Sequence, residues 1–235
     1  MRAAVFSDVH SNLLALEAVM VDAAGRRVDF MLCCGDLVGY GPFPNEVIEA
    51  LRGVPTVMGN YDEGVGFDLD DCGCAYTSAE EEVVGARSLK WTREKVTDAN
   101  KAFLRGLPRE IRRGVDGVEV LFVHGSPRRI NEYLYEDRPE SSVLRMLEPL
   151  GVDCLVMGHT HVPYHRVVGG FHVVNVGSVG KQKDGDPRAR YALIDFDGGV
   201  SVEFVRVSYP VEETVDALRE NGLPEALMKI LRDGG

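Results

Sequence analysis

Asp8 and His10 in SDVHSN, and His159 and His161 in GHTHVP, are two pairs of metal-ligating side chains, each spaced two residues apart. In an extended segment that spacing turns both members of a pair to one side, with Val9 and Thr160 facing away. Asp36 in GDLVGYG, Asn60 in GNYDEG and His124 in HGSP add three more donors. Imidazole nitrogens mixed with carboxylate oxygens suit manganese, iron, zinc, cobalt or nickel, and suit calcium or an all-oxygen magnesium cage poorly. Seven such residues are too many for one ion. Two ions sharing a carboxylate would use them all, and Asp36, alone at a strand end with a glycine before it, is the natural bridge. Two cations ~3.5–4 Å apart can clamp a phosphate and hold a bridging hydroxide, because a bound metal can take the pKa of water from ~15.7 to near 7. At ~1.36 kcal/mol per unit this amounts to about 12 kcal/mol towards hydroxide at neutral pH.

Each of the five blocks reads as a loop that follows an apolar, strand-like run, so the chain has to bring five strand ends to one edge of a sheet core. RAAVF, LLALEAVMVDAA, VDFMLCC, NEVIEALRG and VPTVM alternate between strand and helix patterns and read as βαβαβ, a largely parallel sheet with helices against it. Residues 62–107 break the alternation with an acidic loop and two helical stretches, and read as an inserted helical cap. Three hairpins are expected at Asp116-Gly117, Gly169-Gly170 and Asp197-Gly198-Gly199. PESSVLRMLEPL reads as a helix, and the tail from Val211 as helical with a break at Gly222-Leu223-Pro224.

No linker-like stretch divides the 235 residues, so residues 1–235 read as one domain. The formal charge of −11 argues against non-specific nucleic-acid binding, which needs a basic surface. No apolar run reaches the ~18 residues of a membrane span, and a cytoplasmic location is expected. Five cysteines do not make a disulfide framework. Cys33, Cys34 and Cys154 read as small core residues; Cys72 and Cys74, in DDCGCAY, are spaced as a metal or redox pair but lack a second ligand pair. His165 and His172 flank a hairpin turn and read as exposed.

The order D-x-H, G-D, G-N-x-D, H, G-H-x-H resembles that of the calcineurin-like metallophosphoesterases, and NVGSVGKQKDGDPRARYALID at 175–195 is similar to the closing segment of their small bacterial members. Taken singly, each block would be read as a turn, a cap or a satisfied polar residue; the ordered set is specific. The resemblance implies a four-layer α/β/β/α sandwich of two mixed sheets. It implies one metal on Asp8, His10, Asp36 and His161, and a second on Asp36, Asn60, His124 and His159. The implied activity is hydrolysis of a small phosphate-containing substrate.

That family places a histidine, held by Asp62, where this chain has Tyr61. A tyrosine hydroxyl is protonated at pH 7 and can donate to the phosphate or the leaving oxygen, but it is a weaker acid than histidine by about 3.5 units, roughly 5 kcal/mol for a whole proton. Phosphodiesters and activated phosphates should therefore suffer less than alkyl monoesters. Asp62 falls back to capping. An alternative places the Tyr61 ring over the acidic insertion with its hydroxyl in solvent.

Arg128, Asn175, Ser178 and Lys181 are the expected substrate contacts. Within KQKDGDPRAR the cations either grip a phosphate or offset Asp184 and Asp186. The acidic stretch 62–82 reads as a lid favouring small substrates or as a contact between copies of the chain. Two rivals stand beside the phosphodiesterase reading: a nuclease, and a non-enzymatic scaffold of the same fold, as in a retromer subunit.

Overall fold

The computed structural model describes all 235 residues. Strand β1 (Arg2–Phe6) runs parallel to β2 (Phe30–Cys33), with helix α1 (Leu13–Ala24) as the crossover and Ala3 opposite Phe30. Asn12 starts α1 by accepting the Ala15 N–H at 3.3 Å, which satisfies one of the free donors at a helix N-terminus. β8 (Ala189–Asp195) and β9 (Ser201–Val207) complete a mixed four-stranded sheet in the order β2-β1-β8-β9. A second mixed sheet has the order β3-β4-β5-β7-β6. Its strands are β3 (Glu110–Val115), β4 (Val118–Val123), β5 (Cys154–Met157), β6 (Tyr164–Val168) and β7 (Phe171–Asn175).

Strand periodicity builds the layers. In β1, Ala3 and Val5 face the second sheet, where they join Leu32, Phe122, Val156, Val174 and Ile194 in the inter-sheet core. Ala4 and Phe6 point the other way, into the cluster that packs α1 and α2 (Pro44–Leu51) on the first sheet. The outer face of the second sheet packs Leu121, Leu155 and Val173 against Val143, Met146 and Leu147 of α6 (Glu140–Leu147). The architecture is the expected α/β/β/α sandwich.

All three hairpins form. At Asp116 and Gly117 both φ angles are positive, 49° and 84°, as a two-residue hairpin with the twist of its strands requires. Between residues 60 and 105 the chain forms α3 (Asn60–Gly66), α4 (Ala79–Lys95) and α5 (Asp98–Arg105). Ser78 caps α4, with Glu80, Glu81 and Glu82 in its first turn and Arg93 and Lys95 in its last, the charge order that complements a helix dipole. The tail forms α7 (Val211–Glu220) and α8 (Glu225–Asp233), broken where expected. No helix is long and apolar enough to cross a membrane.

Three expectations fail. VPTVM does not become a third parallel strand; it keeps one bridge, Cys33 to Thr56, before the chain turns into α3. GNYDEG is not a free loop, since Asn60 is the first residue of that helix. His165 and His172 are half-buried rather than exposed, and their Nε2 and Nδ1 lie 3.0 Å apart across the hairpin.

Candidate metal centre

The strand ends deliver Asp8, Asp36, His124 and His159 within a few residues of β1, β2, β4 and β5, but strand alternation does not aim them. Asp8, His10, Asp36, His159 and His161 all have left-handed backbones, with φ between 48° and 67°. The extended pincer read from the two-residue spacing is thus incorrect: the side chains converge because the backbone kinks at each ligand. Each such residue costs about 1–2 kcal/mol. Cross-loop bonds hold the kinks, with Asp8 N–H donating to Gly35 O at 2.9 Å and His10 N–H to Asp36 O at 3.0 Å. His159 N–H donates to Asp8 Oδ2 at 2.9 Å. Strain concentrated at one spot and held from outside is a mark of a functional site.

Backbone carbonyls fix the histidine tautomers. His10 Nδ1 lies 3.1 Å from Val38 O, His124 Nδ1 2.8 Å from Cys34 O, and His161 Nδ1 2.5 Å from Lys181 O. A carbonyl only accepts, so each Nδ1 carries the hydrogen and each neutral ring presents an Nε2 lone pair inward. Those lone pairs meet other acceptors. His10 Nε2 and His161 Nε2 are 3.1 Å apart, and His161 Nε2 is 3.2 Å from Asp8 Oδ1. His124 Nε2 is 3.0 Å from Asn60 Oδ1 and 3.4 Å from Asp36 Oδ2. Asp8 Oδ1 and His159 Nε2 are buried with no hydrogen-bond partner. Acceptors packed against acceptors in a dry interior repel unless a positive charge sits among them, either a metal ion or, at His124, a proton.

Two such clusters exist, Asp8-His10-His161 and Asp36-His124-His159, each with its ligand atoms within 4.8 Å of one another. Asp36 Oδ2 also lies 3.8 Å from His10 Nε2, so one carboxylate reaches both. Its other oxygen accepts the Tyr61 N–H at 2.8 Å. Gly59 makes room for it: a Cβ there would fall 2.1 Å from Asp36 Oδ1. These donors fit a pair of borderline divalent ions, and the Nδ1–carbonyl bonds are the outer support that orients metal-binding histidines.

The electrostatics agree. Burial lowers the pKa of His159 to about 3 and that of His161 to about 4, leaving neutral rings ready to ligate. Burial acts the same way at His124, but Asp36 outweighs it and raises the pKa to about 9. The centre thus takes up a proton in the absence of metal, and an ion must displace it.

A cavity of about 380 Å³ opens on this centre, reaching His10, Asp36, His159 and His161. Tyr40, Tyr61, Tyr76 and Tyr133 line it, with Lys181 and Lys183; α4 and α8 form its outer walls through Glu80, Glu81, Val84, Leu227 and Ile230. Tyr61 is 1% exposed, so its hydroxyl is not in solvent; it is buried without a partner. Burial keeps that phenol protonated, its pKa well above the ordinary tyrosine range. Asp62 behaves as a cap, accepting Leu37 N–H and Gly59 N–H, each at 2.9 Å.

Of the four expected substrate contacts, only Lys181 lines the cavity. Burial lowers its pKa to about 8, Lys183 adding to the effect, and its ammonium lies 4.8 Å over the Tyr40 ring. Arg128 lies outside, bonded to Glu132 at 3.0 Å. Asn175 ties its own loop together through Gly158 O at 2.6 Å and Gly177 N–H at 3.0 Å. Ser178 braces the first ligand loop by donating to Asp8 O at 2.8 Å. The basic loop divides: Arg188 pairs with Asp186 and Arg190 with Asp184, while the two lysines face the cavity. Sequence reasoning passed over Tyr40, although it lies in a ligand block, and Tyr133 and α8, which carry no local signal.

Known proteins resemble the chain over most of its length. The description "Calcineurin-like phosphoesterase superfamily domain" matches residues 1–199. The chain is 34% identical to an uncharacterised protein of Methanocaldococcus jannaschii, over 95% of this chain and 94% of that one. A metallophosphoesterase crystal structure from Sphaerobacter thermophilus is 35% identical with a TM-score of 0.79, covering 100% and 99% of the two chains. A hypothetical protein from Pyrococcus horikoshii, 24% identical over 100% and 98% of the chains, shares the fold with a TM-score of 0.86. The chain belongs to the calcineurin-like phosphoesterase superfamily.

Proposed function

We propose that the protein is a metal-dependent phosphoesterase acting on small phosphodiesters or activated phosphates. Asp8, His10, Asp36 and His161 hold one divalent ion, and Asp36, Asn60, His124 and His159 the other. Bound there, the ions supply Lewis acidity towards phosphate oxygens and make water acidic enough to attack phosphorus at neutral pH. The observation that carries the reading is the facing of His10 Nε2 and His161 Nε2 at 3.1 Å, with both Nδ1 atoms tied to carbonyls.

The chain's own groups then divide the work. Lys181 offers an ammonium to the phosphate without a carboxylate in contact. The Tyr61 hydroxyl, lacking a protein acceptor, donates to a substrate oxygen; an unmet buried donor costs about 1–3 kcal/mol, which a bound ester relieves. With α4 and α8 closing its sides, the cavity suits a small ester better than a polymer, and the insertion serves as a lid.

A metal screen on chelated protein, comparing a bis-aryl diester, an aryl monoester and an alkyl monoester, tests the proposal. Metal-dependent turnover lost in Asp36→Asn supports it. Tight metal uptake with no hydrolysis of any ester would instead make the protein a scaffold.

A further inference from the structure

Asn60 is the one ligand of the seven whose donor atom depends on which way an amide is turned. Its Oδ1 faces His124 Nε2 at 3.0 Å because its Nδ2 faces the insertion, donating to Cys72 O at 3.1 Å and to Cys74 Sγ at 3.2 Å. The thiols of these two cysteines lie 3.2 Å apart. Cys72 is buried, whereas Cys74 is half-buried and lines the cavity. The loop carrying them is pinned from the opposite side, by Asn131 Nδ2 on Gly73 O at 3.1 Å and Ala75 N–H on Tyr133 Oη at 3.3 Å. Cys33, Cys34 and Cys154, by contrast, are fully buried in the sheet cores.

We propose that Cys72 and Cys74 are positioning residues for Asn60 and that their thiol state governs retention of the ion held by Asn60, His124 and His159. The inference rests on the metal-centre reading. The reactant is a low-molecular-weight disulfide of the glutathione type, which reaches Cys74 through the cavity. Cys74 loses its proton as its sulfur attacks one sulfur of the reagent, giving a mixed disulfide and a leaving thiolate that takes up that proton. Cys72 then attacks the Cys74 sulfur, the mixed disulfide breaks, and a second thiol leaves. Two protein thiols are oxidised, one reagent disulfide is reduced to two thiols, and the two protons pass to the released thiolates. Closing the bond draws both sulfurs from 3.2 Å to about 2.05 Å. That movement draws the Cys74 sulfur away from the Asn60 amide, leaving it the Cys72 carbonyl alone, and turns its Oδ1 from the metal position.

Metal stoichiometry and affinity test this, with the intact chain treated with glutathione disulfide or with reductant and then titrated with manganese against a chromophoric chelator. Reduced wild type should bind two ions. The oxidised chain, lighter by two hydrogens and mapped to a Cys72–Cys74 bond, should hold one of them about 10–100-fold more weakly, the loss typical of removing a metal site's outer support. Cys74→Ser keeps an acceptor for the amide and should bind like reduced wild type in either buffer, while Cys74→Ala should be weaker in both. Equal affinity of the oxidised and reduced chains, failure of the bond to form, or wild-type affinity in Cys74→Ala would overturn the inference. Reduced wild type that binds no manganese would instead overturn the metal centre itself.

Discussion

The ring of Tyr61 lies against Gly39: a Cβ at position 39 would come within 2.3 Å of Tyr61 Cδ1. Gly39 also has φ of +94°, which side chains rarely adopt. Tyr61 in turn packs against Tyr40 at 4.7 Å and against the metal-site ring of His10 at 5.4 Å between centroids. Gly39→Ala therefore carries two penalties at once, strain and a displaced aromatic ring. A loss of about 2–4 kcal/mol is expected by denaturant titration. A stable Gly39→Ala protein with unchanged turnover would show that the ring is free to move aside.

Tyr61→Phe removes a buried hydroxyl that has no partner in the protein. Stability should hold or rise slightly, while turnover of diesters falls about 10–100-fold if the hydroxyl donates to substrate. Tyr61→His restores a stronger acid and should raise alkyl monoester hydrolysis more than aryl ester hydrolysis. Equal gains across leaving groups would argue against proton donation at this position.

Metal should stabilise the fold. An ion at 100 times its dissociation constant adds about 2.7 kcal/mol, which for a chain of this size is roughly 5–10 °C in Tm. Chelated protein should melt lower by that interval, and Asp36→Asn should lose most of the difference. Its loss of metal affinity should exceed about 100-fold, since even outer-shell partners are worth 10–100-fold.

Metal affinity should depend on pH through His124. With a pKa of about 9, this ring is protonated in chelated protein across the neutral range, whereas His159 and His161, at about 3 and about 4, are not. An ion entering at pH 7 displaces one proton. Affinity should rise about tenfold per pH unit from pH 6 towards 9 and then flatten. Calorimetry in buffers of different ionisation enthalpy would count the released proton; a count of zero would contradict the protonated state of His124.

Lys181→Gln should raise KM for anionic esters about 5–10-fold with little change in metal content, because only its backbone carbonyl supports His161. Arg128→Gln should leave KM unchanged, since Arg128 is held outside the cavity by Glu132.

The hairpins were legible because their signals are local, Asp-Gly or Gly-Gly turns, whereas the four-layer order came from the resemblance: which face of β1 meets the second sheet, Ala3 and Val5 rather than Ala4 and Phe6, is settled by tertiary packing. The ligand set was legible as an order of blocks, but its aim was not. Nothing in SDVHSN announces left-handed backbone at Asp8 and His10, because that conformation is imposed by bonds to Gly35 and Asp36 across the loops. VPTVM resembled a full strand, yet Pro55 brings no N–H to a ladder and the helix at Asn60 ends the run. Helix α8 was visible as a helical tail, while its docking beside the metal centre is a tertiary fact that no local pattern encodes.

Anomalous scattering from crystals soaked in manganese tests the central claim most directly. Two peaks about 3.5–4 Å apart on either side of the Asp36 carboxylate are expected. A single peak, or none with His10 and His161 still facing each other, would contradict it.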